Sequence, residues 1–87
     1  MTKAIRIEKT GGPEVLRFEE VQLAALKPGE VRVRHTAVGV NFIDIYHRSG
    51  LYKLPLPSGV GLEAAGVVEG VGAGVTRFRE GDRIAYA

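Results

Sequence analysis

The 87 residues contain no cysteine, no tryptophan and a single methionine. Without cysteine there is no disulfide, no thiolate metal ligand and no cysteine nucleophile. The absence fits a reducing compartment, and a cytoplasmic location is the expectation. No apolar run approaches the ~20 residues of a membrane span, and "MTKAIRIEKT" lacks the apolar centre of a secretion signal. Charge is also lacking in any one-sided form. Twelve Lys and Arg face ten Asp and Glu, for a net +2, and the signs are interspersed. "REGDR" and the Lys3–Arg6–Glu8–Lys9 group are typical. No block of one sign points to nucleic acid or to an anionic membrane surface.

Glycine is abundant, with 12 residues. Six of them fall in "GVGLEAAGVVEGVGAGV", and Gly70, Gly72 and Gly74 alternate. A dinucleotide fingerprint needs G-x-G-x-x-G between a strand and a helix, with an acidic residue ~20 positions on. Here the third glycine comes one place early, no strong helix follows, and the sequence ends too soon. No Gly-Lys-Ser/Thr is present either. These glycines therefore read as turn and close-packing positions of a tight β-structure, not as a phosphate loop.

Short strands are expected around Ala4–Ile7, in "LRFEEVQL" with Leu16 and Phe18 alternating against Arg17 and Glu19, in "AAGVVEGV", and in "RIAYA". "VRVRHTAV" alternates most cleanly, placing Val31, Val33, His35 and Ala37 on one face and making His35 a structural residue. "TGGPEV", "LKPGE", Gly72–Gly74 and "REGDR" read as turns. "LYKLPLPSGVG" reads as irregular, and the last strand as lacking a partner. One short helix is expected in "NFIDIYHRSG". Phe42, Ile45 and Tyr46 form its apolar face, Asn41 is the N-cap, and Asp44 closes a capping box. Asp44 and Arg48 have ion-pair spacing, Gly50 is placed to stop the helix, and His47 should be solvated. The fold class is mainly β, sandwich or barrel.

The order "GGPEVL", "PGEVRVR", "GVNFIDIYHRSGLY" and "LPSGVGLEAAGVVEGVGAGVTRFREGDRIAY" resembles the zinc-independent quinone oxidoreductase branch of the medium-chain dehydrogenase/reductase superfamily. The NADPH:quinone oxidoreductases and zeta-crystallin are especially similar. The resemblance covers essentially the whole sequence. It implies a partial GroES-like β-barrel with one short helix, residues 1–87 being the N-terminal part of the catalytic domain. The α/β Rossmann domain of the family would lie outside this sequence, so the 87 residues alone are expected to be inactive.

The resemblance also implies site residues. Asn41 stands where the zinc alcohol dehydrogenases carry a catalytic cysteine, and Gly61-Leu62-Glu63 stands in place of their Gly-His-Glu. An amide and a leucine cannot replace a thiolate and an imidazole in a three-ligand zinc site, so no metal is expected. Asn41 and Tyr46 are implied to face the nicotinamide end of NADPH. Tyr52 and Leu62 are implied on the substrate side, although Leu62 departs from the polar residue common in the branch. Glu63 is expected to make a structural hydrogen bond. The implied activity is transfer of reducing equivalents from NADPH to a quinone or an activated carbonyl, by a homodimer in the full-length protein. The alternatives are an NADPH-dependent enoyl or alkenal reductase of the same superfamily, or a free-standing GroES-like binding module.

Overall fold

The computed structural model describes residues 2–87. Six strands and one α-helix run in the order β1 (Thr2–Ile7), β2 (Arg17–Val21), β3 (Val31–Val38), α1 (Phe42–Ser49), β4 (Ser58–Gly59), β5 (Ala64–Val71) and β6 (Arg83–Tyr86). The chain is therefore mainly β, as the turn-rich sequence predicts. It forms two compact units, each made of two separate stretches of sequence. One contains residues 1–23 and 40–62, the other residues 24–39 and 63–87.

The first unit carries the sheet β2-β1-β4, all antiparallel. Pro13 opens a single 3₁₀ turn, Pro13–Val15, between β1 and β2, a position where its fixed φ and missing N–H cost nothing. Lys3 lies opposite Glu20 and Ile5 opposite Phe18, cross-strand pairs that favour this register. Ile7 is fully buried and Val15 nearly so. The alternation in β2 does not bury its aromatic residue. Phe18 is 67% exposed, and the Lys3 ammonium lies 5.4 Å from its ring centre. Period-2 spacing marks a face; it does not say whether that face is covered. The "LYKLPLPSGVG" stretch is irregular except at Ser58–Gly59, which forms β4 by pairing with Ile7 and Arg6. Two residues are too few to carry a periodic signal.

The second unit carries the sheet β3-β5-β6, again antiparallel. β5 is central, and Ala64, Gly66 and Val68 are buried at alternate positions. The expected clean alternation of β3 is broken twice. Register shifts fall between Arg32 and Val33 and between His35 and Ala37. His35 faces Gly66 and Ala37 faces Ala65, so Thr36 is the extra residue of a bulge. His35 is exposed, not part of an apolar core, and its Nε2 lies 2.8 Å from the Tyr86 hydroxyl. The last strand has a partner after all: β6 pairs with β5 from Val67↔Arg83 to Ala64↔Tyr86. Its partner was hidden because antiparallel pairing leaves no mark in the sequence of either strand.

The alternating glycines are explained by their surroundings. A Cβ on Gly72 would lie 2.1 Å from the Lys27 carbonyl oxygen, whereas Gly74 adopts φ +80° in open space. One is a close approach of two backbones and the other a left-handed turn. The surrounding amides are already engaged: Gly72 N–H donates to Glu30 O at 2.7 Å and Gly29 N–H to Ala73 O at 3.0 Å.

Candidate functional site

α1 carries the candidate site, and its N-terminus is built by two residues. Asn41 is extended (φ −128°, ψ 160°), which is N-cap geometry. Its N–H donates to Asp44 Oδ2 at 2.9 Å, and Asp44 N–H donates back to the Asn41 side chain as well as to the Asn41 carbonyl at 3.0 Å. The capping box expected from the sequence is complete. Asp44 is only 7% exposed, and its Oδ1 has no hydrogen-bond partner among the described residues. An unmatched buried acceptor costs about 1–3 kcal/mol. Its negative charge lies in the first helical turn, where the macrodipole offsets part of that cost.

The Asp44–Arg48 ion pair does not form. Arg48 Nε donates instead to the Gly11 carbonyl at 3.2 Å, and Gly11 N–H donates to the Arg48 carbonyl at 3.0 Å. This reciprocal clamp ties the end of α1 to the loop after β1. Favourable i,i+4 spacing loses here to two better-placed partners, the Asn41 amide for Asp44 and the Gly11 carbonyl for Arg48. Gly50 then ends the helix at φ 92° as expected, donating to the carbonyls of Tyr46 and His47. A Cβ there would meet Thr10 Oγ1 at 3.1 Å.

The turn at Gly50 folds the chain back on the helix. Tyr52 N–H donates to the Tyr46 carbonyl at 3.1 Å. The rings of Tyr46 and Tyr52 meet edge to face, 5.4 Å between centroids and 74° between planes. The His47 ring also lies near Tyr52, 6.3 Å between centroids. It is half-buried rather than solvated. Its nearness to Tyr52 was missed, although "HRSGLY" carried the signal: a glycine that ends a helix reverses the chain onto the last turn.

The apolar face of α1 is largely exposed among the described residues. Phe42 is 79% exposed, Ile45 41% and Tyr46 36%, beside Tyr52 at 50%. The structure thus brings Tyr46 and Tyr52 into contact and puts Asn41 at the opposite end of the same helix. Leu62 is 48% exposed on the connection between β4 and β5. Among the described residues, no hydrogen bond or ring contact joins it to the tyrosines. Glu63 lies in the second unit, where its carbonyl accepts from Gly39 N–H at 3.2 Å.

The second unit has its own shallow depression, lined by Ala37, Val38, Glu63, Ala85 and Tyr86 among others. None of the four residues implied by the resemblance lines it.

Two groups implied by the resemblance can be tested against these residues. The chemistry a nicotinamide ring needs is present on α1, at its two ends rather than in one cluster. Its carboxamide needs donors and acceptors such as the Asn41 amide and the tyrosine hydroxyls, and its flat ring needs exposed aromatic surface. At the glycine string the Gly72 amide is not available to a phosphate, because it already donates to the Glu30 carbonyl. No group of three His, Cys, Asp or Glu able to hold a metal occurs among the described residues. No helix of the described residues is long and apolar enough to cross a membrane.

Comparison with known proteins agrees with this reading of the fold. A quinone oxidoreductase of Pseudomonas aeruginosa is 59% identical over the whole of this chain, which spans 27% of that relative. The crystal structure of the Escherichia coli quinone oxidoreductase complexed with NADPH superposes with a TM-score of 0.95 at 50% identity, covering 99% of this chain and 27% of that one. A 2-haloacrylate reductase of a Burkholderia species is 51% identical over 97% of this chain and 26% of its own length. The chain thus spans about a quarter of the length of the relatives it matches. Residues 27–87 match the model of the alcohol dehydrogenase GroES-like domain, and the chain belongs to that family.

Proposed function

We propose that the chain is the front part of the catalytic domain of an NADPH-dependent quinone oxidoreductase that works without metal. The observation that carries the reading is the platform of α1: a capped Asn41 at one end, and Tyr46 packed on Tyr52 at the other, with both rings exposed. NADPH supplies the hydride when bound, through a nucleotide domain outside this sequence. The protein's task here is position and exclusion of water. The Asn41 carboxamide can both donate to and accept from the nicotinamide carboxamide without adding charge. The Tyr46 and Tyr52 rings offer a flat apolar surface against which a planar acceptor can lie. Their hydroxyls can hydrogen-bond a quinone oxygen as negative charge gathers on it. Leu62 adds apolar surface on the acceptor side. No step uses zinc, since Asn41 and Leu62 offer neither thiolate nor imidazole. The full-length protein is read as a cytoplasmic homodimer acting on small molecules, with neither nucleic acid nor membrane as a partner.

A second reading is reduction of an activated alkene. It is favoured by the 51% identity to the 2-haloacrylate reductase. Both reactions deliver hydride to a conjugated acceptor, so the platform serves either.

The test is steady-state NADPH oxidation by the full-length protein, with quinones and with 2-haloacrylates as acceptors. Quinone-dependent turnover that survives a strong chelator is the expected result. Turnover only with the haloacrylates moves the assignment to the second reading. No turnover with either class removes both.

A further inference from the structure

We infer that the tyrosine platform selects acceptors carrying an anionic substituent, with His47 as the residue that receives the anion; this rests on the function proposed above. The charges around the platform are one-sided. From residue 45 to residue 62 the sequence has no Asp or Glu, but it has His47, Arg48 and Lys53. Asp44, at the other end of α1, is spent on the cap. The loop packed on the end of α1 through Gly11 adds Glu8, Lys9 and Glu14. Glu14 accepts from the Gly12 N–H at 3.2 Å, so the loop does not reverse the sign. Arg48 is held at the Gly11 carbonyl, which keeps its charge at the helix end. His47 is the group nearest the proposed acceptor side. Its ring centre lies 6.3 Å from that of Tyr52, with 63° between planes. The two rings are not stacked in parallel, and their centres are close enough for one small acceptor to touch both. His47 is half-buried, and among the described residues its ring nitrogens have no hydrogen-bond partner. A donor in such a place gains most from a charged acceptor, because hydrogen bonds to ionised groups are the strong ones. Lys53 follows Tyr52 directly and is exposed, adding a fixed positive charge that attracts the same anion. The fitting substrate is a flat conjugated acceptor with a carboxylate or sulfonate at its edge. It gains a hydride from NADPH, leaving NADP⁺, and a proton from solvent, and it keeps its anionic group throughout.

The test uses the full-length protein and two matched pairs of acceptors. One pair is 1,4-naphthoquinone and its 2-sulfonate, the other 2-chloroacrylamide and 2-chloroacrylate. The readout is the ratio of kcat/KM, anionic over neutral, compared between variants so that the intrinsic reactivity of each acceptor cancels. His47→Leu should lower the ratio about five- to tenfold, the scale of one hydrogen bond to a charged group at a half-exposed site, and the loss should fall mainly on KM. His47→Gln, which keeps an N–H donor, should recover part of it, which a purely packing role would not give. Lys53→Glu reverses an exposed charge without touching the core, and should lower the ratio about three- to fivefold. It carries the test if His47→Leu does not fold. A ratio within about twofold of the parent in the variants that fold overturns the inference, as does equal loss for both members of a pair. Turnover of the neutral acceptors alone by the parent protein also overturns it and leaves the functional reading standing. No turnover of any of the four acceptors removes the functional reading itself, and the inference with it.

Discussion

The three alternating glycines allow one experiment to separate three physical reasons for having no side chain. The perturbation is alanine at Gly70, Gly72 and Gly74, one at a time. At Gly72 the new Cβ would lie 2.1 Å from the Lys27 carbonyl oxygen and 3.1 Å from the Glu30 carbonyl oxygen. Both obstacles are backbone, so the strand end must move by roughly an ångström or more to reach ordinary contact. That movement breaks the 2.7 Å bond from Gly72 N–H to Glu30 and disturbs the 3.0 Å bond from Gly29 N–H to Ala73. Two hydrogen bonds at about 1 kcal/mol each, with about 1–3 kcal/mol of overpacking, give a loss of about 3–5 kcal/mol. At Gly74 nothing stands in the way, and the cost is the left-handed backbone, about 1–2 kcal/mol. Reduced freedom of the unfolded chain returns about 0.4–1 kcal/mol of that. At Gly70 the Cβ would press on the tip of Leu26, Cδ1 at 3.0 Å, and meet Arg32 Cβ at an ordinary 3.8 Å. A flexible methyl yields, so the net change should lie within about 0.5 kcal/mol of zero. The assay is the denaturant midpoint of the full-length protein by circular dichroism, with the slope compared across variants. The order Gly72→Ala far below Gly74→Ala, and that below Gly70→Ala, is expected. Equal losses at Gly72 and Gly74 would refute the close-approach argument. A loss of NADPH binding without a loss of stability at any of the three would revive the phosphate-loop reading.

Other substitutions test other parts of the structure. Ile7→Ala removes the fully buried residue of the first unit and should cost about 2–5 kcal/mol by the same denaturant assay. Tyr86→Phe removes the hydroxyl bonded to His35 between exposed partners, and the midpoint should fall by no more than about 1 kcal/mol. Arg48→Ala removes the side-chain half of the clamp on Gly11 but not the backbone half. Faster hydrogen exchange at the Gly11 amide should report it, and an unchanged rate would show that the backbone bond holds the loop alone. Dialysis of the full-length protein against a strong zinc chelator should leave the quinone reductase rate unchanged.

What was legible in the sequence was local. Asn41, Asp44 and Gly50 announced both ends of α1, because caps are made by residues within four positions of each other. The turns at Gly72–Gly74 and "REGDR" were equally plain. What depends on distant neighbours was not. The bulge at Thr36 exists because β5 sits opposite, and nothing in "VRVRHTAV" encodes it. Phe18 and Phe42 had the spacing of covered faces, yet spacing carries no record of what lies opposite. The choice of Arg48 for Gly11 over Asp44 is of the same kind, a contact across 37 positions. For the candidate site, Tyr46 and Tyr52 were named through resemblance, and the structure adds that they touch. It adds no contact from Leu62 to that pair.

The two units are interleaved along the chain, which leaves one for the other after residues 23, 39 and 62. No single cut in the polypeptide therefore yields either unit whole. Exchange of parts with a relative must transplant both stretches of a unit or leave a hybrid whose halves come from different parents. Translation meets the same constraint. β1 leaves the ribosome about fifty residues before β4, the short strand that completes its sheet, so one edge of the first unit must wait until the helix and its tyrosines have already been made.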